Sequence, residues 1–153
     1  MRKSLFCFVC LLFCSCNDIW IGTPSYVGKW KYGNATNTEL IVYMECTGIN
    51  ELGEKCSEVT KNVIPGGKEL WNIFESFNPE DLNFYKHFLR IKETHSCKVW
   101  LTNTSGSMLK LWVMGEDNGP HDIFDEKEWK CGEQSEYSRE WTFTITDADI
   151  AVE

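Results

Sequence analysis

The 153-residue sequence predicts an all-β fold, an antiparallel β-sandwich of six to seven short strands with one short helix, with a small β-barrel as the alternative. Three observations carry this expectation. Short runs of alternating apolar and polar residues recur along the chain, turn signals rich in Gly, Pro, Asn and Ser separate them, and only one segment has a clear helical pattern. The length suits one domain and leaves no room for a second. A hydrophobic fraction of 42% and an aromatic fraction of 14%, with seven Trp, supply enough burial to offset the entropy of ordering.

The N-terminal segment comes first. Arg2 and Lys3 precede a nine-residue apolar run, Leu5–Phe13, and Ser15 places a small residue before Cys16. That is the pattern of a secretory signal peptide over residues 1–15. Nine apolar residues fall short of the about 20 that a helix needs to span a bilayer core, so the transmembrane reading fails. Cys16 resembles the lipidated cysteine of bacterial lipoproteins, whose thiol takes a diacylglycerol before cleavage. Phe13 and Cys14 depart from the usual Leu-small-small-Cys lipobox, and the relaxed form "FCSCND" resembles lipoproteins of Bacteroidetes. The resemblance implies that Cys16 is the mature N-terminus and carries acyl chains such as palmitate. These would anchor a short tether at residues 16–25 and a single domain at 26–153 to the outer membrane of a bacterial cell envelope. Surface-exported members of this group carry several acidic residues after the cysteine; here only Asp18 follows it, so periplasmic and surface-exposed placements both stay open. The alternative is an ordinary secretory signal with Cys16 left as a free thiol.

Loss of Arg2 and Lys3 with the leader takes the formal charge from −8 to −10. A polyanion is repelled by such a surface, so nucleic acid is not an expected partner.

Cys7, Cys10 and Cys14 leave with the leader, and Cys46, Cys56, Cys97 and Cys131 remain beside Cys16. An even number in an exported domain reads as two disulfides, which can be connected in three ways. Their gaps of 9, 40 and 33 residues contain no Cys-x-x-Cys, which argues against a zinc or redox motif. Cys46 ends one strand-like run and Cys56 opens the next, so Cys46 with Cys56 is the preferred pair, leaving Cys97 with Cys131. Closure of the two loops would contribute about 3 and about 4 kcal/mol respectively.

Along the domain, Thr38–Cys46 places Leu40, Val42, Met44 and Cys46 on one face and Ile41 and Tyr43 on the other, as a half-buried strand requires. Glu58–Ile64 is a second strand, ended by the Pro65–Gly67 turn, and Lys68–Phe74 returns as a third. In "NPEDLNFYKHF", Asn78 is a helix cap, Pro79 suits the first helical position, and Leu82, Tyr85, Phe88 and Leu89 make an apolar side, so a short helix is expected. "CKVWLT" and "MLKLWVM" flank Asn103–Ser107 as a hairpin, with Val99 and Leu101 on one face and Leu109, Leu111 and Val113 on another. With those residues inward, Trp100 and Trp112 stand outside as an apolar ligand platform. Gly115–Asp122 is loop, "IFDEKEW" is one helical turn or an irregular crossover, and Arg139–Thr146 is the last strand, with Trp141, Phe143 and Ile145 inward. Thr146 and Asp147 would cap a helical stub at "DADI".

The ending "IFDEKEWKC…REWTFTITDADI", with the leader and "NVIPGGKEL", resembles small Bacteroidetes lipoproteins of unknown function associated with immunoglobulin-like or transthyretin-like sandwiches. The resemblance carries no catalytic motif.

Candidate chemistry is sparse. His95 and Cys97, two apart, would share a strand face and serve a metal, but a surface histidine beside a disulfide cysteine is the plainer expectation. His121 with Asp122 would be an oriented pair, yet no nucleophile motif accompanies it. His87 completes the set of histidines. Adjacent acids such as Glu116-Asp117 and Asp125-Glu126 read as surface solvation, and "GEDNGPHD" lacks the spacing of an EF-hand loop. No phosphate-binding loop or dinucleotide fingerprint is present, and neither a cofactor nor a catalytic residue is expected. The sequence thus points to a non-enzymatic, lipid-anchored binding or accessory module for a protein or a glycan. A small acidic inhibitor or immunity-type protein and an envelope hydrolase using His121 are the alternatives.

Overall fold

The computed structural model describes residues 25–151. The expected signal peptide, Cys16 and all but the end of the expected tether lie outside the described residues.

The chain forms eight strands: β1 (Tyr26–Asn34), β2 (Leu40–Ile49), β3 (Lys55–Ile64), β4 (Glu69–Ser76), β5 (Glu93–Thr102), β6 (Met108–Val113), β7 (Lys130–Gln134) and β8 (Ser138–Ile145), followed by the helical stub α1 (Asp147–Ile150). They build two four-stranded sheets, ordered β4-β1-β8-β7 and β3-β2-β5-β6, so the fold is an all-β sandwich. It is antiparallel except where β1 runs parallel to β8, with Trp30 opposite Trp141 and Tyr32 opposite Phe143. Trp30, Trp112, Trp129, Trp141, Phe88 and Phe143 fill the space between the sheets.

The strongest alternations act as expected. Leu40, Val42, Met44 and Cys46 on β2, Val99 and Leu101 on β5, and Trp141, Phe143 and Ile145 on β8 are all buried.

Two strands carry no clear signal in the sequence. β1 contains Gly28, Gly33, Lys29 and Lys31, which mask an inner face of Trp30, Tyr32 and Asn34. β7 is short, lacks alternation, and exists through pairing with β8 at Lys130 with Thr142 and Cys131 with Trp141.

The expected helix at residues 78–89 is instead two 3₁₀ turns, Pro79–Asp81 and Phe84–His87. Asn78 does cap the first, accepting from the Glu80 N–H, but Asn83 starts a second by accepting from the Lys86 N–H, and this local competition ends the helix after one turn. The 126–128 segment is a further 3₁₀ turn, and Thr146 forms a capping box with Asp149 at the start of α1.

In the hairpin of β5 and β6, β5 faces as expected but β6 has the opposite facing. Trp112 is the register partner of Val99 and is 0% exposed, whereas Leu111 pairs with Trp100 on the outer face and is 43% exposed. Every other residue of "MLKLWVM" is not uniquely apolar, so register with the already committed β5 decides which side is core. The Trp112 indole N–H donates to the His121 carbonyl (2.9 Å), and its ring meets Phe143 edge-on.

A bulge interrupts β2 and β5, where Thr47 faces Ser96 but Gly48 faces Thr94. Glycine is required at position 48, since a Cβ there would run into the Glu93 carbonyl. Among the described residues no helix is long and apolar enough to cross a membrane.

Candidate functional site

On one side of the sandwich the two sheets end in β3 and β4, and here they part. The cause lies in the β3 alternation. Val59 and Val63, both valines of this run, point outward and are 56% and 47% exposed. The inner face carries Cys56, Glu58, Thr60 and Asn62, in register with Gly48, Cys46, Met44 and Val42 of β2. Polar side chains facing the opposite sheet cannot close a dry core, so burial fades from Ile64, which is fully buried, to Glu58, which is exposed. Across from them β4 presents Leu70, Asn72, Phe74 and Ser76, all half-buried. The result is a cleft of about 1000 Å³, floored by Trp30 and His87, walled by β3 and β4, and roofed by residues 81–92.

Its floor is an ordered aromatic stack. The Trp30 ring lies between Trp141 (centroids 5.0 Å apart) and His87 (5.3 Å), both nearly parallel to it, and its indole N–H donates to the Phe84 carbonyl at 3.1 Å. His87 Nε2 is 2.6 Å from the Tyr32 hydroxyl. Burial, with a smaller contribution from the nearby Arg90 guanidinium, brings the His87 pKa down to about 3, so the imidazole is neutral. Burial also raises the Tyr32 phenol above its ordinary value, so the hydroxyl keeps its proton.

The rim is charged but internally paired. Arg90 Nη1 reaches Glu58 across the cleft mouth at 3.5 Å, and Lys86 Nζ lies 2.8 Å from Asp81 and over the Phe74 ring. Hydrogen bonds from Lys86 and Ser76 hold the Asp81 carboxyl below the usual carboxylate range. Asn50, Asn72 and Asn83 add carboxamides. The cleft therefore offers donors, acceptors and apolar surface together, the mixture that fixes a polar ligand. Its imidazole is occupied by Tyr32.

The residues singled out from the sequence fall elsewhere, apart from Cys56 and His87, which line this cleft. The two-tryptophan platform does not form, because Trp112 is in the core. Trp100 is half-buried and stacks on Tyr43 with centroids 5.0 Å apart and planes within 4°, and the Lys98 and Lys61 ammonium groups lie over these two rings.

His95 does not share a face with Cys97. It is the extra residue of the β5 bulge, exposed, while Cys97 is buried. His121 pairs with Asp149 rather than Asp122, Nδ1 to Oδ1 at 2.7 Å, and its ring stacks on Phe143. Asp149 also accepts from the Thr146 N–H and hydroxyl, so this pair ties the 121 loop to the start of α1. It lies by β6 and β8, away from the cleft. The Asp125-Glu126 pair is not mere surface solvation, for Asp125 caps a 3₁₀ turn and Glu126 accepts the Trp141 indole N–H at 2.8 Å. Among the described residues no cluster of three or more His, Cys, Asp or Glu is placed to hold a metal.

No two of the four cysteines of the domain are at disulfide-bonding distance, and neither Cys46 with Cys56 nor Cys97 with Cys131 is joined. Cys46 faces Cys97 across β2 and β5 instead, and Cys131 lies exposed on β7 of the other sheet. Adjacency in sequence suggested the wrong partner because a strand's neighbour on either side is equally close, and β5 brings Cys97 beside Cys46 from 51 positions away.

The cleft could have been suspected from one signal: in "CSEVTKNVI" Glu58, Thr60 and Asn62, which alternate with the valines, are all polar, so the middle of that strand face has no core to join. No protein-family model, curated protein or solved structure matches the chain, so the cleft's own residues are what bear on its role.

Proposed function

We propose that the protein is a non-enzymatic binding module of a bacterial cell envelope, held to a membrane by acyl chains on Cys16, and that it takes a glycan in the cleft between β3 and β4. The observation that carries this reading is the polar inner face of β3, Glu58, Thr60 and Asn62, which leaves the sandwich open at the end where Cys56, Ser57 and Glu58 line the cleft. Carboxamides, paired charges of both signs and the Phe74 ring suit a hydroxyl-rich, weakly charged ligand better than an ionic one. A hydrolase centred on His121 would need that residue at a cleft, and the pair with Asp149 lies at the other side of the sandwich.

The test is a glycan array probed with the purified domain, followed by titration of any retained oligosaccharide. Arg90→Ala and Asn72→Ala should each weaken binding by roughly 10-fold or more while leaving the melting curve little changed, as loss of one or two hydrogen bonds to a polar ligand implies. Retention of no glycan, or equal affinity in both variants, would remove the reading.

The anchor is tested separately. In a bacterial host, wild-type protein should partition into detergent and Cys16→Ala into the aqueous phase, because each buried methylene of the acyl chains contributes about 0.8 kcal/mol to membrane binding. An unchanged distribution for the two proteins would dispose of lipidation.

A further inference from the structure

We propose that Cys46 and Cys97 are a disulfide-forming pair, joined across β2 and β5 when the protein folds in an oxidising medium, while Cys56 and Cys131 stay as thiols. The two residues are direct register partners, and their sulfurs are 3.0 Å apart in the reduced protein. Backbone hydrogen bonding supports the geometry. The Cys97 carbonyl accepts from the Met114 N–H, on the β6 side. In an antiparallel strand the N–H and C=O of one residue point the same way, so Cys97 turns no backbone group toward Cys46. The two form a non-hydrogen-bonded pair, in which the α-carbons lie about 4.5 Å apart and the side chains approach most closely. That separation falls at the short end of the range a disulfide bridges, and closing the sulfurs to about 2.05 Å needs a movement of only about 1 Å.

Both sulfurs lie inside the closed fold. Cys46 Sγ lies 3.2 Å from the Phe88 carbonyl, under the segment that roofs the cleft, and the exposures of Cys46 and Cys97 are 0% and 1%. The hydrogen bond from the Cys97 thiol favours the Cys46 thiolate and lowers its pKa, while that same contact, with burial, raises Cys97.

With a low-molecular-weight disulfide as oxidant, the thiolate of one of the two cysteines attacks one of its sulfurs and expels a thiolate, leaving a mixed disulfide on that cysteine. The other cysteine then attacks the protein-bound sulfur and releases the second small thiol. The two cysteine protons end on the two released thiols, so two protein thiols are oxidised and one small disulfide is reduced. Both sulfurs are buried once residues 84–92 close, so the exchange belongs to folding, and the folded product is shielded from reductant.

Trypsin separates the four cysteines into the peptides 32–55, 56–61, 93–98 and 131–139, which makes the test direct. The full chain is reduced, unfolded, refolded in a mixture of reduced and oxidised glutathione, alkylated, digested without reduction and mapped by mass spectrometry. The expected result is 32–55 linked to 93–98, with 56–61 and 131–139 alkylated, and the same link in the Cys56→Ser/Cys131→Ser double variant. The linked protein should melt about 10 °C or more above its reduced form. Four alkylated peptides, a link from 32–55 to 56–61, or a link from 93–98 to 131–139 would each overturn the proposal.

Discussion

Trp112→Ala lowers the unfolding free energy by about 3–5 kcal/mol, the cost of emptying a fully buried tryptophan site that its neighbours cannot refill. The site is closed on every side that the structure defines: Val99 opposes it in register, Phe143 meets the ring edge-on with centroids 5.8 Å apart, and the indole N–H is hydrogen-bonded to the His121 carbonyl. Truncation removes the packing and also leaves that carbonyl without its donor, which adds a polar penalty to the cavity. Leu111→Ala, one residue away on the outer face, should cost less than about 1.5 kcal/mol because its side chain is already 43% exposed. Urea unfolding followed by circular dichroism compares the two. The reverse ranking would mean that β6 faces the other way and that the register of the hairpin is wrong.

Acid should weaken the fold through His87 before any carboxylate is titrated. Its imidazole is 5% exposed, stacked on Trp30 and in contact with the Tyr32 hydroxyl, and its pKa is brought down to about 3 in the folded chain. In the unfolded chain histidine titrates near 6.5, so between those two values the unfolded state holds one more proton and stability falls as pH falls. The loss between pH 7 and pH 5 is about 2 kcal/mol from this residue alone, and it continues toward pH 3. Asp81 and Glu45, whose carboxyls are held below their usual range by Lys86 and Lys98, lose their contribution only at lower pH, as it falls through the carboxylate region. Chemical denaturation at several pH values between 7 and 5 reads the slope. His87→Gln retains a group that can meet Tyr32 but does not titrate, so its profile should be flatter by the same amount. Parallel profiles for variant and wild type would show that His87 is solvated and not part of the floor.

The opening of the sandwich and the proposed cysteine link meet at one segment. Residues 84–92 supply His87 to the cleft floor, Arg90 to its rim and the Phe88 carbonyl to the Cys46 thiol. Loss of that S–H donor on oxidation leaves the Phe88 carbonyl without this partner, so the state of the sulfurs bears on the roof of the cleft.

The class of the fold and its best strands were legible in the residues alone. β2, β5 and β8 alternate so strongly that one face has to be buried, and the turns at Pro65–Gly67 and Asn103–Ser107 follow from residues that accept their backbone angles. These are local properties, written in neighbouring residues. Contacts across the folded chain set the rest: Trp112 goes inward, His95 bulges out of line with Cys97, His121 finds Asp149, and Cys46 meets Cys97. β1 and β7 likewise depend on partners, β1 lying between β4 and β8 and β7 at the edge beside β8. The physical reason is common to all of them: register and pairing join residues tens of positions apart, and a one-residue difference in register turns a strand's inner face to water. The cleft is the mixed case. Its polar strand face was present in the sequence of β3, but only the parting of the two sheets beside it made that face a site.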